Sequence, residues 1–115
     1  MDPSKALAAF SALANADRLA LIRLLIPYGG TGLSAGEIAR ALGLSASRLS
    51  FHLSQLEQAD LIESRRAARH VIYQAKATSL EAIVGFLLEN CCCKAEGHDG
   101  CEAARAAQGG PEEGR

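Results

Sequence analysis

The stretch SAGEIARALGLSASRLSFHLSQLEQAD, residues 34–60, constrains the chain most, because it carries two short helical patterns with almost nothing between them. Ser34 and Glu37 have the S-x-x-E spacing of a capping box, in which the hydroxyl accepts from a backbone N–H and the carboxylate reaches back to the cap. The helix they open, GEIARALG, stops at Gly43. Ser45 caps the next helix after only a Gly-Leu break, and Leu49, Leu53 and Leu56 give it a core face. Two short helices joined by a tight glycine turn predict a helix-turn-helix.

The flanks fit such a unit. In SKALAAFSALANADR, Leu7, Phe10, Leu13 and Ala14 recur at helical spacing with Ser4 as N-cap, and Asp17 is placed to cap RLALIRLLIPYGG, which ends at Pro27, Gly29 and Gly30. A short loop, TGL, follows. After Asp60 the pattern changes: Ile62, then Val71 and Tyr73, predict two strands joined by a turn at Arg66 to Arg69, a wing. That turn has no Gly, Asn or Asp, so a loop longer than two residues is expected. Thr78 and Glu81 then have capping-box spacing, opening a helix with Leu80, Ile83, Val84, Leu87 and Leu88 on one stripe that needs a partner. The expected fold is mainly α with a small β-hairpin. At 115 residues one compact domain is expected, spanning residues 1–90, followed by a cysteine-rich segment 91–101 and a disordered tail 102–115 that is short of large apolar residues.

Charge narrows the partner. The formal net charge is −1, yet residues 40–76 carry +3 and residues 77–115 carry −4, so only the middle block is suited to a phosphate backbone. On the second helix of the pair, the side chains opposite the core leucines are Ser45, Ser47, Arg48, Ser50, His52 and Gln55. Arg48 suits a guanine edge or a phosphate, Gln55 an adenine, and the serines phosphates. Arg65, Arg66 and Arg69, with His70, cluster at the wing tip, within reach of an adjacent groove of double-stranded DNA. A solvated helix face and a solubilising loop are the plain alternatives, and His52 beside Phe51 also suits a packed or phosphate-bonding residue. No C-x-x-C redox motif, Ser/Cys-His-acid arrangement or phosphate-cradling glycine loop is present, so no enzymatic activity is expected. With no signal peptide pattern and no membrane-length apolar run, a cytoplasmic location is expected.

All four cysteines lie in NCCCKAEGHDGC, as Cys91, Cys92, Cys93 and Cys101. In a reducing compartment such a cluster points to a metal site or a redox sensor rather than a disulfide framework.

The run SASRLSFHLSQLEQADLIESRRAARHVIYQA resembles the DNA-binding core of the ArsR/SmtB family of metal-responsive repressors, with an S-x-H-L-x-x-L-x-x-A-x-L-[IV] pattern at Ser50 to Ile62. The resemblance covers residues 5 to about 90. It implies a winged helix-turn-helix homodimer that binds an inverted-repeat operator and releases it when a metal or metalloid ion binds, with a dimer interface on the first and last helices at Leu7, Phe10, Leu80, Ile83, Val84 and Leu87. A two-fold dimer also gives a modest +3 surface two half-site contacts.

Two of the family's ion sites lack their ligands here: residues 34–43 contain no cysteine, and residues 80–90 contain no histidine. The cysteines after the last helix are similar to those of members that respond to trivalent arsenic through two adjacent cysteines and a third further on. The resemblance thus implies Cys91, Cys92 and Cys101 as ligands of arsenite or antimonite, with Cys93 as a substitute. Thiolates select soft ions, and trivalent arsenic takes three sulfurs in a pyramid. Cys91 and Cys93 point nearly oppositely if the helix continues through them. The pair Cys91 and Cys92 alone suits a monomethylated trivalent arsenical. Other readings of the same residues are a Zn²⁺ or Cd²⁺ site drawn from Cys91, Cys92, Cys93, His98 and Cys101, a thiol-redox switch, and thiols filling a dimer seam.

Overall fold

A computed structural model of the chain describes residues 1–95. Five helices, α1 (Pro3–Leu13), α2 (Ala16–Leu25), α3 (Ala35–Leu42), α4 (Ala46–Gln58) and α5 (Ala77–Leu88), enclose the core with strands β1 (Leu33–Ser34), β2 (Ile62–Ala67) and β3 (His70–Ala75); a 3₁₀ segment, Ile26–Thr31, follows α2. The three strands form an antiparallel sheet in the order β1-β3-β2. The fold is therefore mainly helical with a small sheet, the arrangement of a winged helix-turn-helix.

The central helix pair forms as its sequence dictates. Ser34 accepts from the Glu37 N–H and Glu37 returns a carboxylate to the Ser34 N–H at 2.9 Å, and those donated bonds hold the Glu37 carboxyl below its usual range. Gly43 closes α3 in the left-handed conformation, donating its N–H to the Ala39 carbonyl. Ser45 then caps α4 by accepting from the Arg48 N–H at 3.2 Å. Leu21, Leu25, Ile38, Leu56 and Leu61 are fully buried between α2, α3, α4 and the wing, each contributing roughly 1.5–3 kcal/mol through removal from water.

Elsewhere the structure corrects the expectations. Asp2 rather than Ser4 stands at the N-cap of α1, with Pro3 in the first turn and the Ser4 hydroxyl bonded to the Asp2 carboxylate. Asn15, not Asp17, caps α2, accepting from the Asp17 and Arg18 N–H groups. The TGL loop runs into β1, which pairs Leu33 with Tyr73 and Ser34 with Ile72. Gly32 permits that approach: at φ 67° its missing Cβ would collide with the Tyr73 carbonyl and sit 2.6 Å from Ile72 Cγ2. The wing turn is two residues long, Ala68 and Arg69, because Ala67 pairs with His70, and Ala68 takes φ 59°. Nor does Thr78 cap the last helix. Lys76 occupies the N-cap without a side-chain cap bond, fixed there by its N–H to the Leu61 carbonyl at 2.9 Å and its ammonium to Asp60 at 2.7 Å.

Helix α5 ends before the cysteines. Glu89 is extended and Asn90 turns left-handed at φ 65°, so the helical geometry expected to separate Cys91 from Cys93 does not apply. Cys101, His98 and the tail 102–115 lie outside the described residues.

Candidate nucleic-acid interface and thiol cluster

Helix α4 buries Leu49, Leu53 and Leu56, and that one-sided burial turns its other face outward. Ser45, Ser47, Arg48 and Ser50 are exposed and Gln55 is half-exposed. The first turn of α4 also presents backbone N–H groups that have no intrahelical partner, a natural place for a phosphate oxygen. Phe51, which the sequence reading does not single out, is 56% exposed on the same helix. An aromatic in that position suits the methyl of a thymine, and its contrast with the buried leucines two residues to either side is the signal that marks it.

His52 is the correction on this helix. Expected on the outer face, it is 5% exposed, with Nδ1 3.2 Å from Arg18 Nη1 and Nε2 3.5 Å from Asp17 Oδ2. It packs edge-on against Phe51, with ring centroids 5.6 Å apart. Arg48, by contrast, stays outside, its Nη2 donating to Asp17 Oδ2 at 3.0 Å with the side chain 65% exposed. Asp17 thus joins the site from α2, a connection that spans a sequence separation of 31.

On the wing, Arg65 is pinned rather than free. Its Nη2 donates to the carbonyls of Gly30 and Thr31 at 3.0 and 3.1 Å, tying β2 to the 3₁₀ segment. Arg66 and Arg69 are exposed near the hairpin tip, and no ion pair found among the described residues uses them. Two guanidiniums on the wing are therefore available to an external anion such as a phosphate.

The apolar faces of α1 and α5 divide differently from expectation. These two helices pack on one another, leaving Leu7 69%, Val84 55% and Leu87 62% exposed. Phe10 and Leu80 are only partly buried against the core. Ile83 is the exception: it is 4% exposed and belongs to the protomer's own core, because it lies on the side of α5 that faces inward.

At the end of α5 the chain brings Cys91 Sγ and Cys92 Sγ to 3.3 Å. Cys92 takes φ 63°, and the Cys91 thiol beside it pushes its thiol above the usual range. Among the described residues no three His, Cys, Asp or Glu side chains gather as a metal-holding group. Cys101 lies outside them.

The matched family is a helix-turn-helix domain, found at residues 13–65, which holds α2, α3, α4, the start of the wing and the Asp17–His52 contact. Among curated relatives, the HTH-type transcriptional regulator YgaV of Escherichia coli is 37% identical over 83 residues, 72% of this chain and 82% of that one. The chain belongs to the winged helix-turn-helix family of transcriptional regulators. Its structure is similar to that of HlyU from Vibrio cholerae, with a TM-score of 0.63 and 33% identity over 78% of this chain and 95% of that one. It is also similar to a homodimeric winged helix-turn-helix DNA-binding domain from Mycobacterium bovis, described as a possible ArsR-family regulator, with a TM-score of 0.61 and 25% identity over 84% of this chain and 89% of that one. No helix among the described residues is long and apolar enough to cross a membrane.

Proposed function

We propose that this chain is a dimeric repressor that binds an inverted-repeat operator in the cytoplasm and lets go when trivalent arsenic or antimony binds its thiols. Support for the first half comes from the outward face of α4, the free wing arginines and the homodimeric M. bovis neighbour. Exposed Leu7, Val84 and Leu87 supply an apolar surface for the two-fold contact. Two recognition helices then address successive major grooves.

The observation that carries the second half is the vicinal pair, Cys91 and Cys92, with sulfurs 3.3 Å apart just beyond α5. Arsenous acid, As(OH)₃, condenses with each thiol to form one As–S bond and one water, the departing hydroxide taking the thiol proton. A pair gives (RS)₂AsOH and two waters; a third thiol, for which Cys101 is the candidate and Cys93 the substitute, gives As(SR)₃ and three waters. No thiolate has to form beforehand. Zn²⁺ in a protein site takes four ligands in a tetrahedron, whereas the described residues bring only two thiols together here. Capture pins the end of α5, which packs on α1 beside the apolar contact surface, and a shift there alters the spacing of the two recognition helices.

Oxidation of the thiols is a second reading, favoured by the 3.3 Å approach of the Cys91 and Cys92 sulfurs. The test is a titration of the reduced protein, bound to labelled DNA from upstream of its own gene, with arsenite, antimonite, Zn²⁺ and peroxide in parallel. Arsenite or antimonite releases the DNA, and Cys92→Ser keeps DNA binding while losing at least about tenfold in arsenite sensitivity. Unchanged release in Cys92→Ser overturns the ligand assignment, and release by peroxide alone selects the redox reading.

A further inference from the structure

We propose, resting on the operator-binding reading above, that Asp17 is a positioning residue for sequence reading: from α2 it fixes the direction in which the Arg48 guanidinium leaves the recognition helix. Arg48 is a long side chain on the exposed face of α4, and unsupported it would sample many rotamers. Its Nη2 instead donates to Asp17 Oδ2 at 3.0 Å. Only one edge of the guanidinium is engaged, so other N–H groups of the fork remain for a base edge or phosphate.

Asp17 is itself held from behind. Its backbone N–H donates to the Asn15 side chain at 2.9 Å in the capped first turn of α2. Behind its carboxylate stands His52, which is buried and so has no freedom to swing away. Arg18 donates through Nε to the Ala12 carbonyl at 2.7 Å and places Nη1 3.2 Å from His52 Nδ1. Because a guanidinium only donates, Nδ1 must accept, which leaves the ring proton on Nε2, the nitrogen 3.5 Å from Asp17 Oδ2. A continuous polar chain therefore runs from the last turn of α1, through Arg18, His52 and Asp17, to Arg48. Its hydrogen-bonded links are Arg18 to the Ala12 carbonyl and to His52, and Arg48 to Asp17, while His52 and Asp17 meet in a close polar contact at 3.5 Å.

The charge balance indicates which property of DNA binding this chain serves. A carboxylate beside Arg48 weakens its long-range pull on phosphates, which carry no sequence information, while leaving its directional hydrogen bonds available. Holding Arg48 this way favours selectivity at the expense of indiscriminate attraction.

The experiment measures selectivity separately from affinity. Wild-type protein enriches duplexes from a randomised pool; binding to the enriched duplex and to a scrambled duplex of equal composition is then measured for the wild type, Asp17→Asn, Arg48→Ala, Arg48→Lys and the Asp17→Asn/Arg48→Ala double variant. In Asp17→Asn the enriched-to-scrambled ratio falls about tenfold while affinity for the scrambled duplex holds or rises. Arg48→Lys, which keeps the charge at an exposed position, lowers the ratio comparably and leaves the salt dependence unchanged. In the double variant the ratio falls no further than in Arg48→Ala. A ratio within twofold of wild type in Asp17→Asn overturns the proposal, as does an Asp17→Asn loss that persists undiminished without Arg48, since that loss would act through the fold. Failure of the wild type to enrich any sequence refutes the operator-binding reading itself, and this assignment with it.

Discussion

The recognition half of the molecule and the end of α5 are built on opposite principles. Helix α4 buries four side chains, Leu49, His52, Leu53 and Leu56, and is capped by its own Ser45. Helix α5 buries only Ile83 and lacks a side-chain cap. Beyond Leu88 the chain turns through two left-handed residues, Asn90 and Cys92, before the described residues end. One region is packed on the core and capped by its own side chain; the other carries an exposed apolar face and an exposed thiol pair. A DNA reader must present side chains in one geometry whether or not DNA is there, whereas a sensor must differ between its loaded and unloaded states. The contrast between the two ends is what such a division of labour requires.

Stability measurements can break that contrast. Leu56→Ala removes a side chain from the centre of the packed half, where Leu56 is fully buried, and should cost about 4 kcal/mol, enough to unfold much of the population in a thermal or urea melt. Serine at Cys91 or Cys92 should leave the same melt within about 0.5 kcal/mol, as expected for substitutions outside the core. Comparable losses from the two kinds of variant would show that the thiol end is part of the folding unit after all. Gly32→Ala should fall just below Leu56→Ala, at about 3 kcal/mol, since Gly32 combines φ 67° and ψ −174° with a missing Cβ that would meet the Tyr73 carbonyl. Its loss should be visible as detachment of β1 from the sheet, through faster amide exchange at Ser34 and Tyr73.

The same contrast explains what could be read from the sequence. Ser34, Glu37, Gly43 and Ser45 act within a few residues of themselves, so the helix pair was legible residue by residue. The T-x-x-E spacing at Thr78 and Glu81 looks the same locally, but Lys76 is held by Asp60 and Leu61 from another part of the chain, and that tertiary bond decides where α5 begins. Ile83 could not be told from Val84 by periodicity, because both lie on one broad apolar stripe and only the packing of α1 and the core separates the inner edge from the outer. His52 and Arg48 differ for a related reason. Four residues apart on α4, they both approach Asp17, a residue of α2, yet one is enclosed and the other is not. The charge excess in residues 40–76 falls on α4 and the wing, although Arg65 within it serves the fold.

The smallest effect sharpens the comparison at the wing, which lies between the two extremes. The absence of Gly, Asn and Asp suggested a long turn, yet the ladder closes with Ala67 opposite His70 and leaves only Ala68 and Arg69 outside it. Closure at two residues requires a positive φ, and Ala68 supplies it at 59°, in a region where its Cβ crowds the following carbonyl at a cost of roughly 1–2 kcal/mol. Glycine removes that Cβ, but it also gives the unfolded chain more freedom, worth about 0.4–1 kcal/mol in the other direction. Ala68→Gly should therefore stabilise the protein by only about 0.5 kcal/mol, a rise of a few degrees at most in the melting midpoint. DNA binding should barely change, because Arg66 and Arg69 are untouched and the salt dependence stays as it was, while amide exchange across Ala67 and His70 slows. A fall in stability on this substitution would mean that the alanine methyl is supported by a contact that offsets its strain, and that the wing belongs with the tightly built half of the molecule.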